Sequence, residues 1–170
     1  SMDLVGSTMK WLKNLVWLFG LRFIFGCADS STTLSIATGG PAGLYYPIGG
    51  GMASIWSAHV PGINVRAEVT GGSVSNVIQV ARGESDLGIA MADVISDAYK
   101  GEGLFPESLP LRVLLSAYPN VIHVVTVEKT NISSISDLAG KRVSLGAQGS
   151  GTAVAAQNIL SGLGLQESDY

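Results

Sequence analysis

The fold class is decided by one stretch near the start of the chain, Leu34-Ser35-Ile36-Ala37-Thr38-Gly39-Gly40-Pro41-Ala42-Gly43-Leu44-Tyr45-Tyr46. Its first five residues alternate between apolar and polar positions, which is typical of a β-strand. The glycines that follow form a turn, and apolar residues at nearly helical spacing then run to His59. A strand that leads through a glycine-rich turn into a helix is the repeating unit of an α/β sheet.

The same arrangement occurs twice more, so we define three glycine corners. The first is the turn from Thr38 to Tyr46, the second is Thr70-Gly71-Gly72-Ser73, and the third is Gly146-Ala147-Gln148-Gly149-Ser150-Gly151-Thr152. Each corner leaves unpaired N–H groups at a helix N-terminus, where the helix dipole is positive. Three such corners with few charges nearby predict a small anionic ligand held by neutral donors.

The rest of the chain continues the alternation of strands and helices. The predicted strands are 34–38, 65–69, 85–90, 111–117, 121–127 and 142–145. The predicted helices are 46–59, 73–82, 93–100 and 152–163, with a helical turn at 136–140. This pattern indicates a largely parallel α/β sheet. Ligands of such sheets bind at the carboxyl ends of the strands, where the three glycine corners lie.

Composition excludes several classes of protein. The 170 residues are 46% hydrophobic and 14% charged, which argues against a disordered chain. The net charge is −3 and no basic block follows residue 22, so nucleic acid is not an expected partner. The lone cysteine, Cys27, rules out an internal disulfide and a cysteine-based metal cluster.

Residues 1–28 are interpreted as a targeting segment. Lys10 and Lys13 precede a short apolar run that ends near Cys27, and Ser1-Met2 is typical of an expression scar. Either Cys27 is the acylated residue of a lipobox, or signal peptidase cuts before Asp29. An uncleaved anchor or a cloning artefact is the alternative to export. Residues 29–33 form a polar linker.

The sequence contains no recognisable catalytic or cofactor motif. No lysine follows the third corner as a P-loop requires, and Gly149-Ser150-Gly151 lacks the outer spacing of a nucleophile elbow. His59 and His123 have no metal-ligand spacing, and the β-branched run around His123 favours a buried structural histidine. We therefore expect no cofactor, no metal and no enzymatic activity.

The residue patterns of five segments, and their order along the chain, resemble those of the TAXI-type substrate-binding proteins of TRAP transporters. Each segment alone also occurs in other periplasmic-binding-protein families, whereas all five in order are specific. The segments are Thr38-Gly39-Gly40 through Gly43-x-Tyr45-Tyr46-Pro47; Thr70-Gly71-Gly72-Ser73-Val74-x-Asn76; Gly83-Glu84-x-Asp86 with Asp93; Tyr118-Pro119 before 121–125; and Asp137-Leu138-x-Gly140-Lys141-Arg142-Val143 running into 149–152.

The resemblance implies a type II periplasmic-binding-protein-like α/β fold, with a first lobe at 34–125 and the start of a second, incomplete lobe at 126–170. It implies a receptor for a small carboxylate, such as glutamate or a dicarboxylate. The receptor would lie in the periplasm or, lipid-anchored through Cys27, on the outer face of the cytoplasmic membrane. Its partners would be the membrane subunits of a TRAP transporter. An enzyme or a sensor module on the same two-lobed scaffold is the alternative.

The predicted ligand-binding residues all belong to the glycine corners or the helices that follow strands. They are Gly39, Gly40, Tyr45, Tyr46, Thr70, Gly72, Ser73, Asn76, Asp93, Gln148, Ser150, Gly151 and Thr152. Hydroxyls beside N–H groups at a helix start suit a carboxylate, which favours Ser150 and Thr152 most. Each residue also has an alternative role that involves no ligand. The glycines would then only permit tight turns and the tyrosines would only pack. Asn76 would form a local hydrogen bond within its helix, and Asp93 would cap its helix.

Overall fold

The computed structural model describes residues 31–170. The predicted targeting segment, with Cys27, and the first residues of the predicted linker lie outside this range. Three parallel strands form the sheet in the order β2-β1-β3. They are β1 (Thr32–Ala37), β2 (Ile63–Glu68) and β3 (Leu87–Gly88).

Within residues 31–170, four α-helices accompany the sheet. They are α1 (Tyr45–His59), α2 (Ser73–Arg82), α3 (Ala92–Lys100) and α4 (Gly151–Gly162). Short 3-10 helices lie at Glu128–Thr130, Ile135–Leu138 and Glu167–Asp169. Each predicted helix is confirmed to within one residue at either end, and the mixed α/β class with a parallel sheet is confirmed as well. The architecture is consistent with the periplasmic-binding-protein-like fold that the resemblance implies.

Two apolar clusters hold these elements together. Ile36 of β1, Ala53 of α1 and Val65 of β2 form one buried cluster on the sheet. The second cluster joins α2 to α3 and to the chain that follows α3. Its buried members are Val77, Val94, Ala98, Phe105 and Leu111, and Val154 of α4 packs against it. The second cluster therefore links α4 to the layer that carries the second glycine corner.

The predicted strand at 85–90 is confirmed only in its centre. β3 contains two residues because side chains replace ladder bonds next to it. Asp86 Oδ2 accepts a hydrogen bond from the backbone N–H of Ser35 at 2.8 Å, and the Asp86 N–H donates to Ser35 Oγ at 3.2 Å. These two bonds attach the chain before β3 to β1 without extending the regular pairing.

The predicted strands at 111–117, 121–127 and 142–145 are wrong, because the structure has no regular secondary structure there. Their alternating apolar residues describe side chains, whereas a strand also needs a neighbouring backbone to pair with. None of the strands within residues 31–170 runs beside these segments. Leu114 is consequently 74% exposed and Val125 85% exposed. His123 is also exposed rather than buried.

Within residues 31–170, the helices are all too short or too polar to cross a lipid bilayer.

Candidate functional site

The structure brings the three glycine corners together. The Tyr45 hydroxyl, at the end of the first corner, lies 3.3 Å from Ser73 Oγ in the second corner. The Val74 N–H, just after the second corner, donates to the Gly149 carbonyl oxygen of the third corner at 3.0 Å. The sequence predicted all three corners at the carboxyl ends of strands. The first two corners follow β1 and β2, whereas within residues 31–170 no strand leads into the third corner, which these contacts nevertheless place beside the other two.

The side chain of Asn76 links the elements at this edge of the sheet through three hydrogen bonds. Its Nδ2 donates to the Thr38 carbonyl oxygen and to the Ile89 carbonyl oxygen, both at 2.6 Å, and its Oδ1 accepts from Thr70 Oγ1 at 2.5 Å. The side chain is fully buried. One amide thus joins the ends of β1 and β3 to the second corner. A contact between Asn76 and ligand stays a prediction.

The second corner needs glycine at position 72. Gly72 has φ of 111°, which is a conformation that residues with a side chain rarely adopt. A Cβ there would also lie 3.2 Å from Ser150 Cα in the third corner. Thr70 Oγ1 fixes the turn by accepting from the Gly72 N–H at 3.1 Å. Backbone therefore approaches backbone closely at this point.

Ser73 and Tyr45 form a small hydroxyl network. Ser73 is buried, and its Oγ accepts from the Met91 N–H at 3.1 Å as well as contacting the Tyr45 hydroxyl. Burial raises the pKa of Tyr45, the hydrogen bond with Ser73 opposes that shift, and the charge of Asp93 adds to it. The Tyr45 phenol is therefore a neutral donor at physiological pH.

Tyr118 belongs to the same region, although the sequence predicted no role for its side chain. Burial raises its pKa, and Tyr45 raises the pKa further by electrostatic interaction. The sequence signal that pointed to it was the Tyr118-Pro119 pair, which entered only as part of the family resemblance. The phenols of Tyr45 and Tyr118 therefore interact electrostatically.

The third corner is held by its own hydrogen bonds. Ser150 caps α4, because its Oγ accepts from the Ala153 N–H at 3.1 Å. Gly151 is buried, and a Cβ there would come within 2.6 Å of Ser73 Oγ. Gln148 and Thr152 are exposed. The predicted ligand contacts of Ser150, Gly151, Gln148 and Thr152 stay predictions.

The remaining predicted residues lie at the margin of this site. Gly39 is buried beside the Tyr45 side chain, whereas Gly40 and Tyr46 are exposed. Asp93 is exposed in the first turn of α3, where its Oδ1 accepts from the Val94 N–H at 2.8 Å. Met91, not Asp93, occupies the N-cap position of α3. The capping alternative for Asp93 is therefore not observed.

Every donor in this network is neutral. The hydrogen bonds between the corners come from backbone N–H groups, from the hydroxyls of Tyr45, Thr70 and Ser73, and from the Asn76 amide. In the part of the chain that the structure describes, no group of three His, Cys, Asp or Glu side chains is arranged to hold a metal ion.

A separate cavity of about 120 Å³ lies between α2, α3 and α4. Its lining combines apolar side chains with the polar side chains of Asp97, Gln157 and Asn158. The other lining residues are Val74, Val94, Gly103, Leu104, Phe105 and Val154. It contains none of the predicted ligand-binding residues, so the candidate site is the junction of the glycine corners rather than this cavity.

Comparison with protein families matches residues 36–170 to the model of the NMT1-like family. The chain belongs to the NMT1-like family. This family is one of periplasmic-binding-protein-like substrate-binding proteins, so the general role is binding of a small solute. Solute-binding proteins generally work with transporters. The membership confirms the periplasmic-binding-protein part of the sequence interpretation at this coarser level.

Proposed function

We propose that the protein is an extracytoplasmic receptor of the TAXI type that binds a small organic anion and delivers it to a TRAP transporter. The ligand class is an amino acid such as glutamate, or a dicarboxylate. The observation that carries the proposal is the convergence of three glycine corners, linked through Tyr45, Ser73 and Gly149. Family membership supports the solute-binding role.

The chemistry of the junction suits a carboxylate. Oxygen anions accept hydrogen bonds from hydroxyl groups and from N–H groups at helix N-termini. The junction brings the Tyr45 and Ser73 hydroxyls to the N-terminus of α2, where the Val74 N–H is bonded to the Gly149 carbonyl oxygen. The Tyr45 phenol adds a neutral donor, and burial raises its pKa further above the ordinary value of 10.0. Asp93 is close enough to Tyr45 to raise that pKa by its charge, so it is placed to attract the ammonium group of an amino acid.

The same network favours binding over catalysis. The hydroxyl of Ser73 contacts a backbone N–H, which is not a base, and the Tyr45 hydroxyl, whose raised pKa keeps it protonated and makes it a poor general base. A nucleophilic serine needs a base within hydrogen-bond distance. We therefore propose that the ligand leaves the protein chemically unchanged.

Titration calorimetry with L-glutamate and with succinate tests this proposal. Saturable binding is expected for at least one of them, with the ligand recovered intact by mass spectrometry. Tyr45→Phe and Thr152→Val should each weaken binding about tenfold to a hundredfold, the loss expected for one hydrogen bond to a charged group. Tyr99→Phe is the matched control, because Tyr99 is 57% exposed on α3. Steady conversion of the ligand, or no saturable binding, contradicts the proposal.

Export is the second part of the proposal, and it is supported by the basic and apolar segment before Cys27. Fractionation of the producing bacterium should recover the protein in the periplasm or with the membrane. Cys27→Ser should release a membrane-associated form if Cys27 carries a lipid. An unprocessed protein in the cytoplasm contradicts export.

A further inference from the structure

β2 lies at one edge of the sheet, because the strand order is β2-β1-β3. On its inner side the Glu68 carbonyl oxygen accepts from the Thr38 N–H at 3.0 Å. The backbone groups of successive residues in a strand face opposite sides, so Val65 and Ala67 face away from β1. Within residues 31–170 no strand lies beside this outer side. An edge of this kind is a template on which another extended chain can pair.

A serine of α1 occupies the middle of this edge. Ser57 Oγ accepts from the Val65 N–H at 2.8 Å. Its hydrogen can be donated to the Val65 carbonyl oxygen at 3.4 Å or to Asn64 Oδ1 at 3.5 Å. The Ile63 N–H, which also faces outward, donates to the Val60 carbonyl oxygen at 3.4 Å. An incoming strand would have to displace these partners before it could pair along β2.

A side chain also replaces a ladder partner on the other side of β1. β3 pairs with β1 only at Ile36 and Ala37, so Ser35 lies beyond this pairing. Asp86 Oδ2 accepts from the Ser35 N–H at 2.8 Å. Charged side chains that face the sheet edge are one of the features by which natural proteins discourage added strands. The replacement at Val65 therefore has a counterpart in the same sheet.

The chain also carries a segment with the composition of a strand and no partner within residues 31–170. Residues 121–127 are VIHVVTV, and Val125 is 85% exposed. β-Branched residues favour a strand where a paired backbone is available. We propose that Ser57 blocks the outer edge of β2 against the segment 121–127 of a second copy of the chain.

Amide hydrogen exchange followed by NMR tests the contact first. Ser57→Ala should speed exchange of the Val65 N–H about tenfold, the loss expected for one hydrogen bond, whereas the Arg66 N–H, which faces β1, should change little. Alanine is a better helix former than serine, so α1 is retained. Ser54→Ala, at an exposed position one turn earlier, is the control. Ser57→Thr keeps the hydroxyl and should keep the slow exchange. Unchanged Val65 exchange in Ser57→Ala overturns the proposal.

Sedimentation equilibrium then tests the block itself. Ser57→Ala should self-associate about fivefold more strongly than the unmodified chain, the effect of a favourable cross-strand contact. Ser54→Ala should show no such gain. The gain should also disappear when Ser57→Ala is made in an Ala67→Pro chain, since proline removes an outward N–H that an edge strand can lose. It should disappear in a Val125→Lys chain as well, because the added charge lies in the segment that pairs.

Each other result contradicts a defined part of the proposal. Faster Val65 exchange with an unchanged association constant overturns the block, because the edge would then be open without attracting a strand. A gain that persists in Ala67→Pro overturns it as well, since the association would use another surface. A gain that Ala67→Pro removes and Val125→Lys does not would make β2 of the second copy the partner, and it overturns the choice of 121–127.

Discussion

β1 and the segment 121–127 have similar compositions, but only β1 forms a strand. Both are rich in β-branched and apolar residues, TTLSIA in β1 and VIHVVTV in the segment. β1 has a parallel neighbour on each side, and its Ile36 is 1% exposed. The segment 121–127 has no regular structure, and its Ile122 is 49% exposed.

The difference shows that β-propensity expresses a fit to a half-buried, paired surface rather than an intrinsic preference. β1 meets that condition because α1 and β2 supply apolar side chains to the cluster around Ile36. Nothing in residues 31–170 supplies a paired backbone to 121–127. Substitutions in the two regions should therefore differ in their effects on stability.

The largest effect is expected for Asn76→Ala, which removes the amide that joins β1, β3 and the second corner. Two carbonyl oxygens, one of the buried Thr38 and one of the half-buried Ile89, would lose this donor. At roughly 1–3 kcal/mol for each unsatisfied group, the free energy of unfolding should fall by about 4 kcal/mol. Urea denaturation measures the change. Asn158→Ala, at an exposed position of α4, is the control and should cost less than about 0.5 kcal/mol.

Ile36→Ala and Ile122→Ala form a matched pair across the comparison. Ile36 is 1% exposed and Ile122 is 49% exposed. Truncation of the buried residue should destabilise the protein by about 3 kcal/mol, within the usual range for a core isoleucine. Truncation of Ile122 should change the free energy of unfolding by less than about 0.5 kcal/mol. Similar costs at both positions would mean that 121–127 is packed in solution.

The exposed apolar side chains of 121–127 should promote association between copies of the chain. Val125 is 85% exposed. Its replacement in Val125→Lys removes an apolar contact of about 1.5 kcal/mol and should weaken self-association roughly tenfold. Sedimentation equilibrium measures the association constant. Ser133→Lys adds the same charge at an exposed position outside the segment and should weaken association less. A monomeric unmodified chain contradicts the prediction.

The smallest effect concerns pH and lies in the region without strands. Asp137 accepts from the Ser133 N–H at 2.9 Å and from the Ser134 N–H at 2.8 Å. These bonds lower the pKa of Asp137 from 3.8 to about 2. Because the pKa is lowered by folding, the local stabilisation is present above about pH 4 and is lost as the pH falls through about 2.

An NMR titration of the Ile135–Leu138 turn checks this prediction. The amide signals of Ser133 and Ser134 should report the protonation of Asp137 near pH 2. In Asp137→Asn the same signals should not titrate there, because the amide carries no ionisable proton. A midpoint near 3.8 in the unmodified chain would mean that the two backbone hydrogen bonds do not form.

The sequence was sufficient to predict an element where the residues of that segment alone determine its structure. Helical periodicity and terminal glycines predicted α1 to α4 to within one residue at each end. The glycine corners were predicted from their runs of glycine, serine and threonine. The strand predictions failed at 111–117, 121–127 and 142–145. A strand needs a second segment to pair with, and the alternation of apolar residues within one segment does not show whether such a partner exists. The role of Asn76 was missed for a related reason, since its partners Thr38 and Ile89 are distant in sequence.

The candidate site was predicted in outline and not in its contacts. Hydroxyl and glycine positions identified Tyr45 and Ser73, whose contact the structure provides. The pairing of the Gly149 carbonyl oxygen with the Val74 N–H had no sequence signal, because backbone groups are the same at every residue. Tyr118 was recognisable only through its motif, since its nearness to Tyr45 arises from the tertiary fold.

The all-parallel register of the sheet has a consequence for how the chain folds. Thr32 lies opposite Ile63, and Ile36 lies opposite Leu87. No hairpin joins sequence neighbours in this sheet, so every pairing must wait until a long loop with its helix has closed. We expect refolding from denaturant to be slow for a domain of this size. Helical signal should return before the sheet, and the central strand should be protected late because both of its partners arrive from far along the chain.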